Sequence, residues 1–316
     1  MKINASTHEI QPRRWSLRVG PPGFGAALIL AAVVSSMISP APALAGDLIF
    51  ADGFESGGVD AWSQQLGYVP TTAFRISDLD LRDPHLFVDT QIFGCVDFTD
   101  QDLPLGFGPS FNGALETALT TDGDGDGFLD ESSMFLFKPL LELAQGETVE
   151  QRDGQCTAPI ASTVCVPEPG SSPAPSAYDG VAAGTCLGPV AGTTSGYSPA
   201  VGDTVGPCFV TEERDITFML QGVELVLRDA RSAAGWIGAP PNRLENGLLR
   251  GFLPETVADS LLLPADLPLV GGQPFSILLP GGTGNCAPGD DRDQHEGESG
   301  WWFYLELVAD EVPYSE

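Results

Sequence analysis

Lysine is nearly missing from this chain, which has only Lys2 and Lys138, and its 14 basic residues face 43 acidic ones for a formal net charge of −29 at pH 7. A surface so poor in positive charge repels phosphate backbones and anionic lipid, which argues against a nucleic-acid partner. Histidine is almost as scarce, with His8, His85 and His295. The sequence contains no G-x-S-x-G, no H-E-x-x-H and no phosphate-cradling glycine loop, so the usual signatures of serine hydrolases, zinc proteases and nucleotide enzymes are missing. No apolar run reaches the roughly 20 residues that a membrane-spanning helix requires. None of the six cysteines forms a C-x-x-C pair, which removes the common redox and zinc-ribbon patterns.

The first 45 residues have a different character. Arg13, Arg14 and Arg18 precede an apolar run from Phe24 to Ile38, and the helix-breaking, small-residue stretch Ser39 to Ala45 follows. This order predicts a signal peptide over 1–45 with an A-x-A cleavage site, and a mature chain starting near Gly46. The Arg13-Arg14 pair also admits a twin-arginine route, although Ser16 stands where that signal prefers an apolar residue. Cleavage would take away Lys2, Arg13, Arg14, Arg18 and Glu9, leaving 10 basic and 42 acidic residues and a net charge of about −32. All six cysteines lie beyond the cleavage point, and in an oxidising compartment an even number predicts disulfides. Fifteen pairings are possible. Short separation favours Cys156 with Cys165, with the Cys186 loop tied nearby.

Periodicity predicts a mainly β fold, an antiparallel β sandwich with a few short helices. Strands are expected over Phe74 to Asp89, broken near Asp83-Pro84, and over Met134 to Leu143, Ile216 to Leu220 and Val223 to Leu227. The last strand, Trp301 to Val308, alternates Trp301, Phe303, Leu305 and Leu307 with Trp302, Tyr304, Glu306 and Val308. Ser110 is placed to cap a helix carrying Phe111, Ala114, Leu115, Ala118 and Leu119. Asn242 to Leu263 reads as two short helices joined at Pro254, and the Pro/Gly/Ser-rich stretch 166–205 as a long loop. The expected organisation is a leader at 1–45, an N-terminal segment at 46–70 and a β-rich domain at 71–316. Within the N-terminal segment, Asp52-Gly53-Phe54-Glu55-Ser56-Gly57 with Trp62 resembles a short segment found in exported proteins of Gram-negative bacteria. The resemblance implies export to the periplasm, cell surface or medium, and no activity.

The clearest chemical motif is Asp122-Gly123-Asp124-Gly125-Asp126-Gly127-Phe128-Leu129-Asp130. Carboxylates at alternate positions wrap a hard cation, and a glycine at the sharp turn brings the next carbonyl inward. The loop resembles the Ca²⁺ loops of EF-hand, dockerin and thrombospondin type 3 proteins. That resemblance implies Ca²⁺ ligation by Asp122, Asp124 and Asp126, by the backbone oxygen of Phe128, and by Asp130 directly or through water. Ser133 stands at the twelfth position in place of a bidentate Glu, so Glu131 or a distant carboxylate would have to complete the shell.

A second acidic run, Asp290 to Glu298, has no glycine at the turn position and reads as a solvated loop, with a weak metal site at Asp291, Asp293 and His295 as the alternative. Trp302 and Tyr304 raise a glycan-stacking reading against plain core packing. The expected function is therefore an exported, Ca²⁺-stabilised, disulfide-linked module that binds a glycan or another surface protein, or serves structurally. Two alternatives stand beside it: a secreted carboxylate-dependent, glycosidase-like hydrolase, and a carrier of an apolar ligand built around Leu248 to Leu263.

Overall fold

The computed structural model describes residues 70–316 apart from 107, 221, 222 and 266. The leader and all but the end of the 46–70 segment lie outside the described residues. Eight strands carry the architecture: β1 (Thr72–Asp83), β2 (Ser133–Phe137), β3 (Gln145–Cys156), β4 (Ala174–Val181), β5 (Cys208–Thr211), β6 (Val223–Gly238), β7 (Pro241–Pro254) and β8 (Glu298–Val312). Each pairs antiparallel with the next in the chain. β8 then returns to β1, with Ala73 opposite Val312 and Leu81 opposite Leu305. The fold is mainly β, as the periodicity predicts, but the eight strands form one closed meander where two facing sheets were expected. Alternation of apolar and polar residues is the same in both arrangements, so only the β1–β8 seam distinguishes them.

Side-chain alternation explains what fills the ring. Phe74, Phe137, Tyr178, Phe209 and Trp236 converge inside one half, with Phe137 centred 5.1 Å from both Tyr178 and Phe209 and 5.2 Å from Trp236. Trp301, Phe303, Leu305 and Leu307 fill the other half from β8. Burying each such side chain contributes about 1.5–3 kcal/mol, and an eight-stranded ring is just wide enough for side chains to fill. Outside it, Asp78 and Asp80 on β1 stand opposite Val308 and Glu306 of β8. A lipid-facing wall would not carry such charges. Among the described residues no helix is long and apolar enough to cross a membrane.

Two stretches differ from the sequence reading. Residues 241–254 form β7 and only Glu255–Ser260 is helical (α2), because the leucines that mimic helical spacing pair in register with β6 and β8. Tertiary pairing overrides local propensity there. The 166–205 stretch is not one long loop: it contains β4, which belongs to the sheet, and the short paired strands Thr185–Leu187 and Thr204–Val205. The part after β4 lies as a strap over the outer face of β7 and β8. Leu187, Val190 and Val201 cover Leu248, Phe252, Trp302 and Tyr304, and Cys186 is bonded to Cys208 at the start of β5.

Because neighbouring strands alternate in direction, the connections 84–132, 157–173, 212–222 and 255–297 all leave the same end of the barrel. That end carries α1 (Phe111–Thr120), the acidic loop and the disulfide Cys95–Cys286.

Candidate metal site

The acidic loop is positioned from both sides. Ser110 accepts the N–H of Gly113 and caps α1, as its sequence position predicts. At the other end of the helix, the buried Arg75 guanidinium donates to the Leu119 carbonyl at 2.9 Å, satisfying one of the orphan acceptors of a helix terminus. Asp130 N–H donates to Thr121 O and Glu131 N–H to Ala118 O, so the loop leaves and rejoins the helix within one turn. Its far side is stitched to the Cys156–Cys165 hairpin by Leu129 N–H to Cys156 O and Ala158 N–H to Gly127 O, both 2.9 Å.

Within this frame the carboxylates of Asp122, Asp124 and Asp130 bring one oxygen each to within 4.8 Å of one another. The N–H groups of Gly125, Asp126 and Gly127 all donate to Asp122, and Gly123 N–H donates to Asp130 at 2.8 Å. Gly127 has a φ of +95°, where a side chain is strained, and a Cβ on Gly123 would come 2.7 Å from the Asp130 carboxylate. Phe128 stands opposite Thr157 between the two hairpin bonds, so its own N–H and carbonyl point away from the hairpin, into the loop. Asp126 is the expected ligand that stays outside the converging group. Its Oδ1 accepts the N–H of Phe128 instead. The donor set is all oxygen and anionic, which suits a hard divalent cation.

A polar cleft of about 440 Å³ opens beside the loop, with Glu131, Asp153 and Glu168 among its walls. Burial, then the negative charges of Asp153 and Asp130, push the Glu131 carboxyl up to about 7. The sequence names Glu131 as a way to complete the shell; Asp153 and Glu168 carry no sequence signal, Asp153 being placed by β3 and Glu168 by the short strand Cys165–Pro167 that pairs back on β3, with Glu168 N–H donating to Asp153 O at 3.0 Å.

The other expected site residues are dispersed. His295 Nε2 lies 2.7 Å from Asp229 Oδ2, with Glu296 also in reach, while Asp291 accepts the hydroxyl of Tyr197 at 2.5 Å, so Asp291, Asp293 and His295 do not form one site. His85 is buried, 2.6 Å from Asp97 through Nδ1 and stacked on Tyr197 at 3.8 Å. Its Nε2 is enclosed, with no hydrogen-bond partner and the Asp100 carboxylate 4.0 Å away, so no substrate reaches it. Trp302 and Tyr304 lie beneath the strap, 5% and 0% exposed, and offer no stacking platform to a glycan.

The chain matches no known family model, no curated protein and no solved structure. Three disulfides, with no free cysteine among the described residues, suit a chain that folds in an oxidising environment.

Proposed function

We propose that this protein is an exported, Ca²⁺-stabilised and disulfide-linked module with a structural or binding role at the cell surface or outside the cell, and not a catalyst. The convergence of Asp122, Asp124 and Asp130 in a loop tied to both α1 and the Cys156–Cys165 hairpin carries this reading. An empty loop holds these negative charges against one another, and a divalent ion would replace the repulsion with coordination. Since α1 and the hairpin belong to separate connections, an ion held there would couple two parts of the barrel end. Export is supported by the disulfides and by the leader-like first 45 residues.

The test is thermal melting with Ca²⁺ and with chelator at fixed ionic strength. A ligand that binds only the folded state adds about 2.7 kcal/mol at a hundredfold excess over Kd. Ca²⁺ should raise the melting temperature of the wild type, and Asp124→Ala should lose most of that gain while its chelated form melts no lower. Identical melting of the wild type under both conditions would refute the calcium role.

A further inference from the structure

We infer that the apolar pocket at the loop-bearing end of the barrel binds one small, neutral, apolar molecule of about naphthalene size. Where α1 packs over the ring, the space bounded by Ile76, Leu115, Leu119, Leu249, Leu305 and the carboxylates of Glu131 and Asp153 is only about 60 Å³. Outside the mouth of the ring a separate pocket of about 260 Å³ opens between the connection following β1 and the connection following β7. An apolar cavity of about 150 Å³ already accepts benzene, so this volume suits two fused rings or a chain of comparable bulk.

The lining defines the ligand chemistry. Phe98, Phe111, Val223, Leu263, Leu267 and Phe275 are among the side chains of the wall, and no charged side chain lines it among the described residues. Ser110 supplies the one side-chain hydroxyl, and its Oγ is already engaged by the N–H of Gly113. A charged ligand would lose its hydration there and find no charged partner among the described residues. Shape and apolar area are therefore what the pocket can recognise.

The walls are built to stay apart. One is the capped N-terminus of α1. The facing wall is a closed loop in which Leu263 N–H donates to Gln273 O, Gly272 N–H to Leu263 O and Phe275 N–H to Leu261 O, at 2.8–3.0 Å. Gly271 fits there only because it has no side chain, since a Cβ would come 2.5 Å from Ala265 O. The disulfide Cys95–Cys286 ties the two connections together. Leu262 and Leu269, at 64% and 42% exposure, each adjoin a lining residue in the chain, and Leu105, at 77%, lies two residues from Leu103. The inference does not rest on the calcium reading, because no carboxylate lines this pocket among the described residues.

Fluorescence titration of the folded, oxidised protein with 1-aminonaphthalene tests it, with 1-naphthalenesulfonate as the anionic control and saturating Ca²⁺ throughout. The expected result is saturable one-to-one binding of the neutral probe, at least tenfold weaker binding of the sulfonate, and at least tenfold loss in Ala114→Phe, which fills the pocket from α1. Ala114→Leu, a smaller intrusion, should show an intermediate loss and serves if the phenylalanine variant does not fold. Absence of saturable binding by the wild type, equal binding of the sulfonate, or undiminished binding by a folded Ala114 variant would each overturn the proposal.

Discussion

The backbone N–H of Val190 donates to the hydroxyl of Tyr304 across 3.0 Å, joining residues 114 positions apart in the chain. Thr193 Oγ1 pairs with the same hydroxyl, and Thr204 Oγ1 donates to Asn246 O at 2.8 Å further along the strap. Tyr304 therefore anchors the strap to the outer wall, where the sequence allowed an exposed aromatic. Tyr304→Phe should leave Val190 N–H without an acceptor and cost about 1–3 kcal/mol. Lowered melting together with faster proteolytic nicking between Gly188 and Pro207 is the expected pattern; an unchanged cleavage rate would separate the strap from this hydroxyl.

The disulfides close loops of very different length, with separations of 191, 22 and 9 residues for Cys95–Cys286, Cys186–Cys208 and Cys156–Cys165. On the loop-entropy account their removal costs about 5, 3.5 and 2.5 kcal/mol in that order. Denaturant titration of the three paired Cys→Ser variants checks the ranking. A reversed order would mean that contacts in the native state, not chain entropy, set their contribution.

Cys156 and Cys165 should have a second effect, because their hairpin holds the acidic loop through Leu129 and Gly127. The paired Cys156→Ser, Cys165→Ser variant should show a smaller Ca²⁺-dependent rise in melting temperature than either other pair. Isothermal titration with Ca²⁺ would show the same weakening as a raised Kd.

Asp83, 3% exposed, accepts the N–H of Ser195 at 2.7 Å, and burial raises its carboxyl to about 7 despite that bond. Asp291 adds to the rise and His85 opposes it. With its folded-state pKa above the unfolded value, this group contributes stability that is fully present below about pH 4 and lost as pH climbs through 7. Asp83→Asn keeps the shape without the charge. It should melt higher than wild type at pH 8, by the equivalent of about 1–4 kcal/mol, and match it near pH 4. Equal melting at both pH values would show that Asp83 bears no such cost.

Much of this was readable from the chain. The capped helix at Ser110, the alternation along Trp301 to Val308, the local pairing of Cys156 with Cys165 and the gathering of Asp122, Asp124 and Asp130 all arise from neighbours within a few residues. What escaped depends on distant partners. The Leu244, Leu248 and Leu249 spacing suits a helix until β6 and β8 supply ladders on both sides, and Trp302 looks like a surface aromatic until the strap covers it. The link from Cys95 to Cys286, and with it one brace of the apolar pocket, spans most of the domain and has no local signature.

Closing the ring between Ala73 and Val312 has a kinetic side. The seam joins the first strand to the last, and the meander cannot close until β8 has emerged during synthesis. Until then β1 keeps one exposed edge, able to pair with any other extended chain. Folding of this barrel is therefore weighted toward late, long-range closure, the regime of slow formation and exposure to aggregation. A chain truncated before Glu298 should lack the seam altogether and present two open edges in place of none.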